Sequence, residues 1–153
     1  MAAGQQALVL AAALGESALQ MHASYQLGVV YGAIGDFGRA AELLRQGMEV
    51  ADREAGTPST YMRIGSRARL ARALGALGAF AEGRRHGEEA LRLATLEGRG
   101  VTPILAHSCL GQLYLAQGDL EHAIPVLDQG LALCRTSGHQ GWLRSILAGL
   151  GYA

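Results

Sequence analysis

Leu27-Gly28-Val29-Val30-Tyr31-Gly32-Ala33-Ile34-Gly35-Asp36-Phe37 decides the fold, because the chain repeats it at Leu110-Gly111-Gln112-Leu113-Tyr114-Leu115-Ala116-Gln117-Gly118-Asp119-Leu120. Each copy holds a leucine-glycine pair, a tyrosine and a Gly-Asp punctuation, and then an alanine five residues after the punctuating glycine, Ala40 or Ala123. A degenerate copy lies between them, Leu70-Ala71-Arg72-Ala73-Leu74 followed by Gly78-Ala79-Phe80, with Gly83 at the alanine's place. The steps from Gly28 to Ala71 and from Ala71 to Gly111 are 43 and 40 residues, and a further 40 reaches Gly151 in Leu150-Gly151-Tyr152. Self-similarity at this period marks stacked supersecondary units, none of which can bury its apolar face alone.

The spacing inside a copy is helical. Leu27, Val30, Tyr31 and Ile34 follow three- and four-residue steps, with no alternation of the strand kind. Gly28 and Gly111 stand inside a helix at a cost of about 1 kcal/mol each against alanine, which is tolerable where a second helix must come close. Gly35 and Gly118 end the first helix, and Asp36 and Asp119 cap the second. The pattern predicts helices over about 4–14, 16–34, 37–55, 58–77, 80–97, 103–117, 120–136 and 140–152, with no strand. Thr57-Pro58 and Thr102-Pro103 each read as a capping hydroxyl before a proline at the first helical position. Gly56, Gly98, Gly100 and Gly138 mark the turns between repeats.

The composition agrees and excludes several chemistries. Of 153 residues 50% are hydrophobic and only 5% aromatic, so the core is built from alanine and leucine, as suits helices packed through small residues. All 13 basic residues are arginines, which excludes a P-loop, a Schiff-base lysine and a pyridoxal site within this chain. Cys109 and Cys134 sit in Leu/Ala-rich segments as small core residues, too few for a disulfide framework. No run of eighteen apolar residues suggests a membrane span, and Met1 to Gln6 lacks the basic start of a signal peptide. A cytoplasmic setting is expected.

The order L-G-x-x-Y, Gly-Asp, Ala resembles the tetratricopeptide repeat (TPR) over roughly residues 16 to 153. The resemblance implies an all-α, right-handed solenoid of antiparallel helix pairs with seven or eight helices. Repeats fall at about 16–56, 57–100 and 101–138, with a partial one at 139–153, in one domain over 1–153. Asp52 and Arg135 replace the proline that ends the family's repeat, so the second helices should run on and lengthen the typical step of about 34 residues. Ser24, Arg67 and His107 stand where the family has tryptophan, and Trp142 does not align with them. Long repeats of this kind are similar to the C-terminal regions of large bacterial ATP-dependent, maltose-regulator-like transcriptional regulators and of cyclase-fused ATPases. Leu131-Ala132-Leu133-Cys134-Arg135 carries that narrower likeness. Residues 1–15 read as the second helix of a preceding repeat, and the last helix reads as a first helix without its second. The ends are thus expected either to continue into neighbouring domains of a longer chain or to pair with another copy.

By the same resemblance, ligands lie along the concave face of the first helices. His22, Tyr25 and Val29, then Ala68 and Arg72, then Ser108, Gln112 and Leu115 are the candidate groove residues. Tyr25 offers a ring with a polar tip, Arg72 a fork for a carboxylate, and Gln112 donors and acceptors for a peptide backbone. The expected function is a protein- or peptide-binding scaffold, part of a larger regulator. The alternative is a ligand-sensing segment of an ATP-dependent regulator or nucleotide cyclase. The lysine-and-asparagine clamp by which some TPR domains hold a C-terminal carboxylate cannot form, since the chain has neither residue. Residues 61–100 carry eight arginines against four glutamates, yet Arg63 and Arg67 share a face from which Arg69 and Arg72 point away, so no nucleic-acid stripe is expected. His107 and Cys109 lie about 200° apart on a helix and cannot share a metal ion. Neither Ser108 beside His107 nor Glu88-Glu89 has a convergent third group. Gly149-x-Gly151 lacks a strand-turn-helix setting for a dinucleotide. No catalytic residue, metal site or cofactor is assigned.

Overall fold

The computed structural model describes residues 2–53, 60–96 and 100–152. The helices are α1 (Ala2–Ala13), α2 (Ser17–Ala33), α3 (Phe37–Arg53), α4 (Thr60–Ala76), α5 (Phe80–Leu96), α6 (Thr102–Gln117), α7 (Leu120–Ser137) and α8 (Leu143–Tyr152). A single 3-10 turn, Gln140–Trp142, leads into α8. No strand occurs among the described residues. The architecture is an all-α, TPR-like solenoid in which α2 pairs with α3, α4 with α5 and α6 with α7, and each first helix also packs on the one before it.

The turn inside each pair is built once and used three times. Gly35, Gly78 and Gly118 have φ of +85°, +79° and +80°, a conformation that glycine adopts without a Cβ penalty. The following N–H then reaches back to the helix it has left: Asp36 to the Tyr31 carbonyl, Ala79 to Leu74 and Asp119 to Tyr114, each at 2.9 Å. This is the six-to-one bond that satisfies a helix's last carbonyls. Asp36 Oδ1 accepts from the Arg39 amide at 3.1 Å and Asp119 Oδ1 from His122 at 3.3 Å, so both expected caps form. Ala79, in the degenerate copy, has no oxygen to offer and keeps only the backbone half of the device.

Close approach between paired helices explains the internal glycines. A Cβ on Gly28 would lie 2.7 Å from Leu44 Cγ, and one on Gly111 would lie 2.5 Å from Leu127 Cγ. Both leucines are fully buried, which stabilises each by about 1.5–3 kcal/mol relative to exposure. In the middle pair the glycines, Gly83 and Gly87, are on the second helix, and Leu113 and Leu110 of α6, the first helix of the next pair, press on them. The core thus runs along the axis as linked clusters, from Met21, Tyr25 and Leu44 at one end to Leu127, Cys134 and Ile146 at the other. Cys109 and Cys134 are buried within it.

Two local expectations change. Helix α6 begins at Thr102 and not after it, with Val101 in the capping position and no side-chain cap bond. Pro103 sits in the first turn of this helix, where its missing N–H leaves no bond unmade. The last helix is preceded by the 3-10 turn, so α8 proper spans ten residues. Thr57-Pro58, Gly56 and Gly98 lie outside the described residues. Helices α3 and α7 do run on through Asp52 and Arg135.

Candidate functional site

The surface shared by α2 and α4 carries a cleft floored by backbone. Gly28, Val29, Gly32 and Ala33 of α2 form one wall, and Arg69 and Arg72 of α4 the other, around about 80 Å³. Arginines three residues apart on a helix lie on one side, so both side chains line the cleft. Arg72 Nη2 donates to the Gly32 carbonyl at 3.2 Å and its guanidinium stands 5.9 Å from the Phe37 ring. Arg69 Nε donates to the Tyr25 hydroxyl at 3.1 Å, and that hydroxyl also lies 3.2 Å from the Tyr61 hydroxyl.

Arg69 is held between two rings, with its guanidinium carbon 5.7 Å from the centroids of both Tyr25 and Trp142. Rings in these positions hold a cation through their quadrupoles, and Tyr61 meets Tyr25 edge-on at 5.9 Å. Burial pushes the Tyr25 hydroxyl up to about 12, although the nearby Arg69 charge pulls the other way. Tyr25 therefore remains a neutral phenol at neutral pH and supplies no countercharge. Among the described residues no carboxylate lies within 4.0 Å of either Arg69 or Arg72. Arg45 pairs with Glu82 at 2.8 Å between α3 and α5, with both side chains partly exposed. Two half-buried arginines thus line one cleft with no carboxylate of the described residues within 4.0 Å, an arrangement that a ligand carboxylate would relieve.

The eight candidates from the sequence separate into four places. Val29 and Arg72 line this cleft, and Tyr25, itself buried in the core, reaches it through its bond to Arg69. Gln112 lies further along, where its amide donates to the Ser145 hydroxyl at 2.7 Å and ties α6 to α8. Leu115 is half-buried beside it against Leu127 and Ile146. Ala68, at 0% exposure, and Ser108, at 1%, are packed between helices and present no atom to the surface. His22 lines a different groove, between α1 and α2. Arg69, Tyr61 and Trp142 complete the cleft without having been expected there. The i,i+3 step from Arg69 to Arg72 was the available signal for the first; nothing local announces Trp142, which comes from a turn two repeats away.

Among the described residues, no group of three or more His, Cys, Asp or Glu side chains is placed to hold a metal ion. No helix there is long and apolar enough to cross a membrane.

Residues 106–141 match a tetratricopeptide-repeat model. Among solved structures, the nearly identical TPR-like repeats of a Podosopora anserina kinesin light chain, in a single-substitution form, align with a TM-score of 0.65 and 23% identity, covering 89% of this chain and 66% of that one. A second structure of those repeats aligns at 0.61 with 24% identity, over 87% and 65%. The chain spans just under two thirds of their length. No curated protein matches the sequence.

Proposed function

We propose that this TPR-like chain is a protein-binding scaffold whose α2/α4/α6 face holds an extended, acidic peptide segment. The pair Arg69 and Arg72, half-buried along one cleft with no carboxylate within 4.0 Å among the described residues, carries the proposal. An aspartate or glutamate side chain set between the forks would accept charge-assisted bonds from both, and these are about twice as strong as neutral ones. Val29 and the Gly28–Gly32 backbone offer an apolar floor beneath the peptide. Gln112 stands further along the same row of first helices, where its side-chain carbonyl can accept from a peptide N–H while its amide stays bonded to Ser145. Helix-pair repeats present such a surface as a rigid trough, which limits the ordering cost to the peptide alone.

Trp142 is the sole tryptophan and touches Arg69, so it serves as the probe. Titration with an extended peptide rich in Asp and Glu is expected to change its fluorescence, with affinity that weakens as salt rises. The same peptide with Asn and Gln in their place is expected to bind at least about tenfold more weakly, as is the acidic peptide to Arg72→Met. Equal affinity for the two peptides would refute an acidic ligand; unchanged affinity in both Arg72→Met and Arg69→Met would refute the cleft.

A further inference from the structure

The groove between α1 and α2 encloses about 550 Å³ and is lined almost wholly by apolar groups, among them Ala7, Leu10, Ala11, Leu14, Ala23 and Val30. Leu10 is 61% exposed and Val30 42%. Elsewhere in the solenoid the equivalent groove is filled, and the contacts identify it. Gly4 faces Leu27 as Gly87 faces Leu110: a Cβ on either glycine would lie 2.7 Å from a leucine Cδ, and both pairs are 23 residues apart. The sequence keeps the same register, Gly4-Gln5-Gln6-Ala7-Leu8-Val9-Leu10-Ala11 against Gly87-Glu88-Glu89-Ala90-Leu91-Arg92-Leu93-Ala94. Helix α1 is therefore the counterpart of the second half of α5. The counterparts of Ala7, Leu10 and Val30 are Ala90, Leu93 and Leu113, exposed by 0%, 4% and 0%.

What covers them is α4. Ile64 and Ala68 share a cluster with Ala90 and Leu93, and the Gly75 Cβ position lies 3.2 Å from Leu113. The groove on α1 and α2 thus has the shape of a seat for a first helix whose face reads large, small, small at the positions of Ile64, Ala68 and Ala71.

The other end of the chain presents that face. By the 40-residue step, Arg144, Ala148 and Gly151 of α8 stand where Ile64, Ala68 and Ala71 stand on α4, and all three are exposed, with Leu147 beside them at 46%. Gly28 and Gly111 are pressed by a leucine of the following helix, but nothing lies within 4 Å of the Cβ position of Gly151. Docked antiparallel to α1, as α4 is to α5, this face would bring Arg144 to the end of the groove marked by the exposed Glu16.

We infer that α8 of one copy seats in the α1/α2 groove of the next, so that the protein assembles head to tail. Such an interface joins two different surfaces and need not close, and it removes an apolar patch of a kind soluble monomers seldom leave open. Sedimentation velocity of the whole chain is expected to show species that grow with concentration. Leu10→Arg blocks the groove and Ala148→Arg blocks the helix face; both positions are exposed, so each variant should keep the wild-type circular dichroism. Each alone is expected to stay monomeric, while an equimolar mixture gives a 1:1 dimer and nothing larger. Leu147→Asp substitutes for Ala148→Arg should the latter misfold. Arg144→Glu is expected to weaken assembly and Glu16→Arg, added to it, to restore assembly. A wild type that stays monomeric at high concentration, self-association surviving in either blocked variant, or a mixture that stays monomeric would each overturn the inference.

Discussion

Leu127 lies over the α-carbon of Gly111 so closely that a methyl group there would stand 2.5 Å from both Cγ and Cδ2 of the leucine. The contact joins α6 to α7 and fixes their separation. Because Leu127 Cγ is a branch point and not a mobile tip, it cannot swing aside. Gly111→Ala is therefore expected to destabilise by about 1–2 kcal/mol in spite of alanine's better helix propensity, since overpacking a core costs about 1–3 kcal/mol. In a Leu127→Ala background the same change is expected to be neutral or mildly stabilising. Urea midpoints of the four-protein cycle measure the difference directly.

Tyr25 gives the fold an alkaline limit. Its hydroxyl is raised by burial to about 12 in the folded chain, while the unfolded chain ionises near 10. Above pH 10 the unfolded state releases a proton that the folded state keeps, so stability falls as pH rises from 10 towards 12. Tyr25→Phe removes this group and is expected to flatten that part of the profile. Thermal midpoints measured at half-unit steps from pH 8 to 12 are the check, and an unchanged slope would count against the buried phenol.

Ser108 is 1% exposed, and its hydroxyl has no hydrogen-bond partner among the described residues. A buried hydroxyl left unpaired costs about 1–3 kcal/mol. Ser108→Ala is expected to raise stability by about 1 kcal/mol, visible as a higher urea midpoint, and to leave peptide binding untouched.

Pro125 lies inside α7, where it denies the Glu121 carbonyl its helical donor. The residue is exposed, so alanine can replace it without disturbing the core. Pro125→Ala is expected to stabilise by about 1–2 kcal/mol, the restored bond outweighing the extra freedom of the unfolded chain. A lower thermal midpoint would show that the local backbone depends on the ring.

The solenoid was legible in the sequence because its construction is periodic. The glycine that admits a leucine, the glycine that ends a helix and the aspartate that starts the next recur at fixed steps, and each has one local physical role. The cleft was legible only in part. Register placed Tyr25 and Arg72 on the first helices, but it also offered Ala68 and Ser108, which the packing takes up. A first helix has two neighbours, and its inner surface and its buried flank are adjacent arcs of one circumference that spacing alone cannot separate. Arg69 lies off the register positions that pick out Ala68 and Arg72, and the partners that matter to it, Tyr25 and Trp142, are on other elements. Trp142 belongs to an irregular turn, where no period exists to be read.

The Arg69–Trp142 contact also sets how the molecule comes apart. In a stack of repeats each unit feels its immediate neighbours alone, so unfolding can travel from one end and stop part way. Trp142 stands between α7 and α8 but packs on the cluster around Ile64 and Ala68 and shares Arg69 with Tyr25. It therefore couples units that are not adjacent and makes the melting of the middle and of the far end one event. With the ring in place, amide exchange in α4 and α8 should open together; without it, the chain should unravel piecewise from the α8 end.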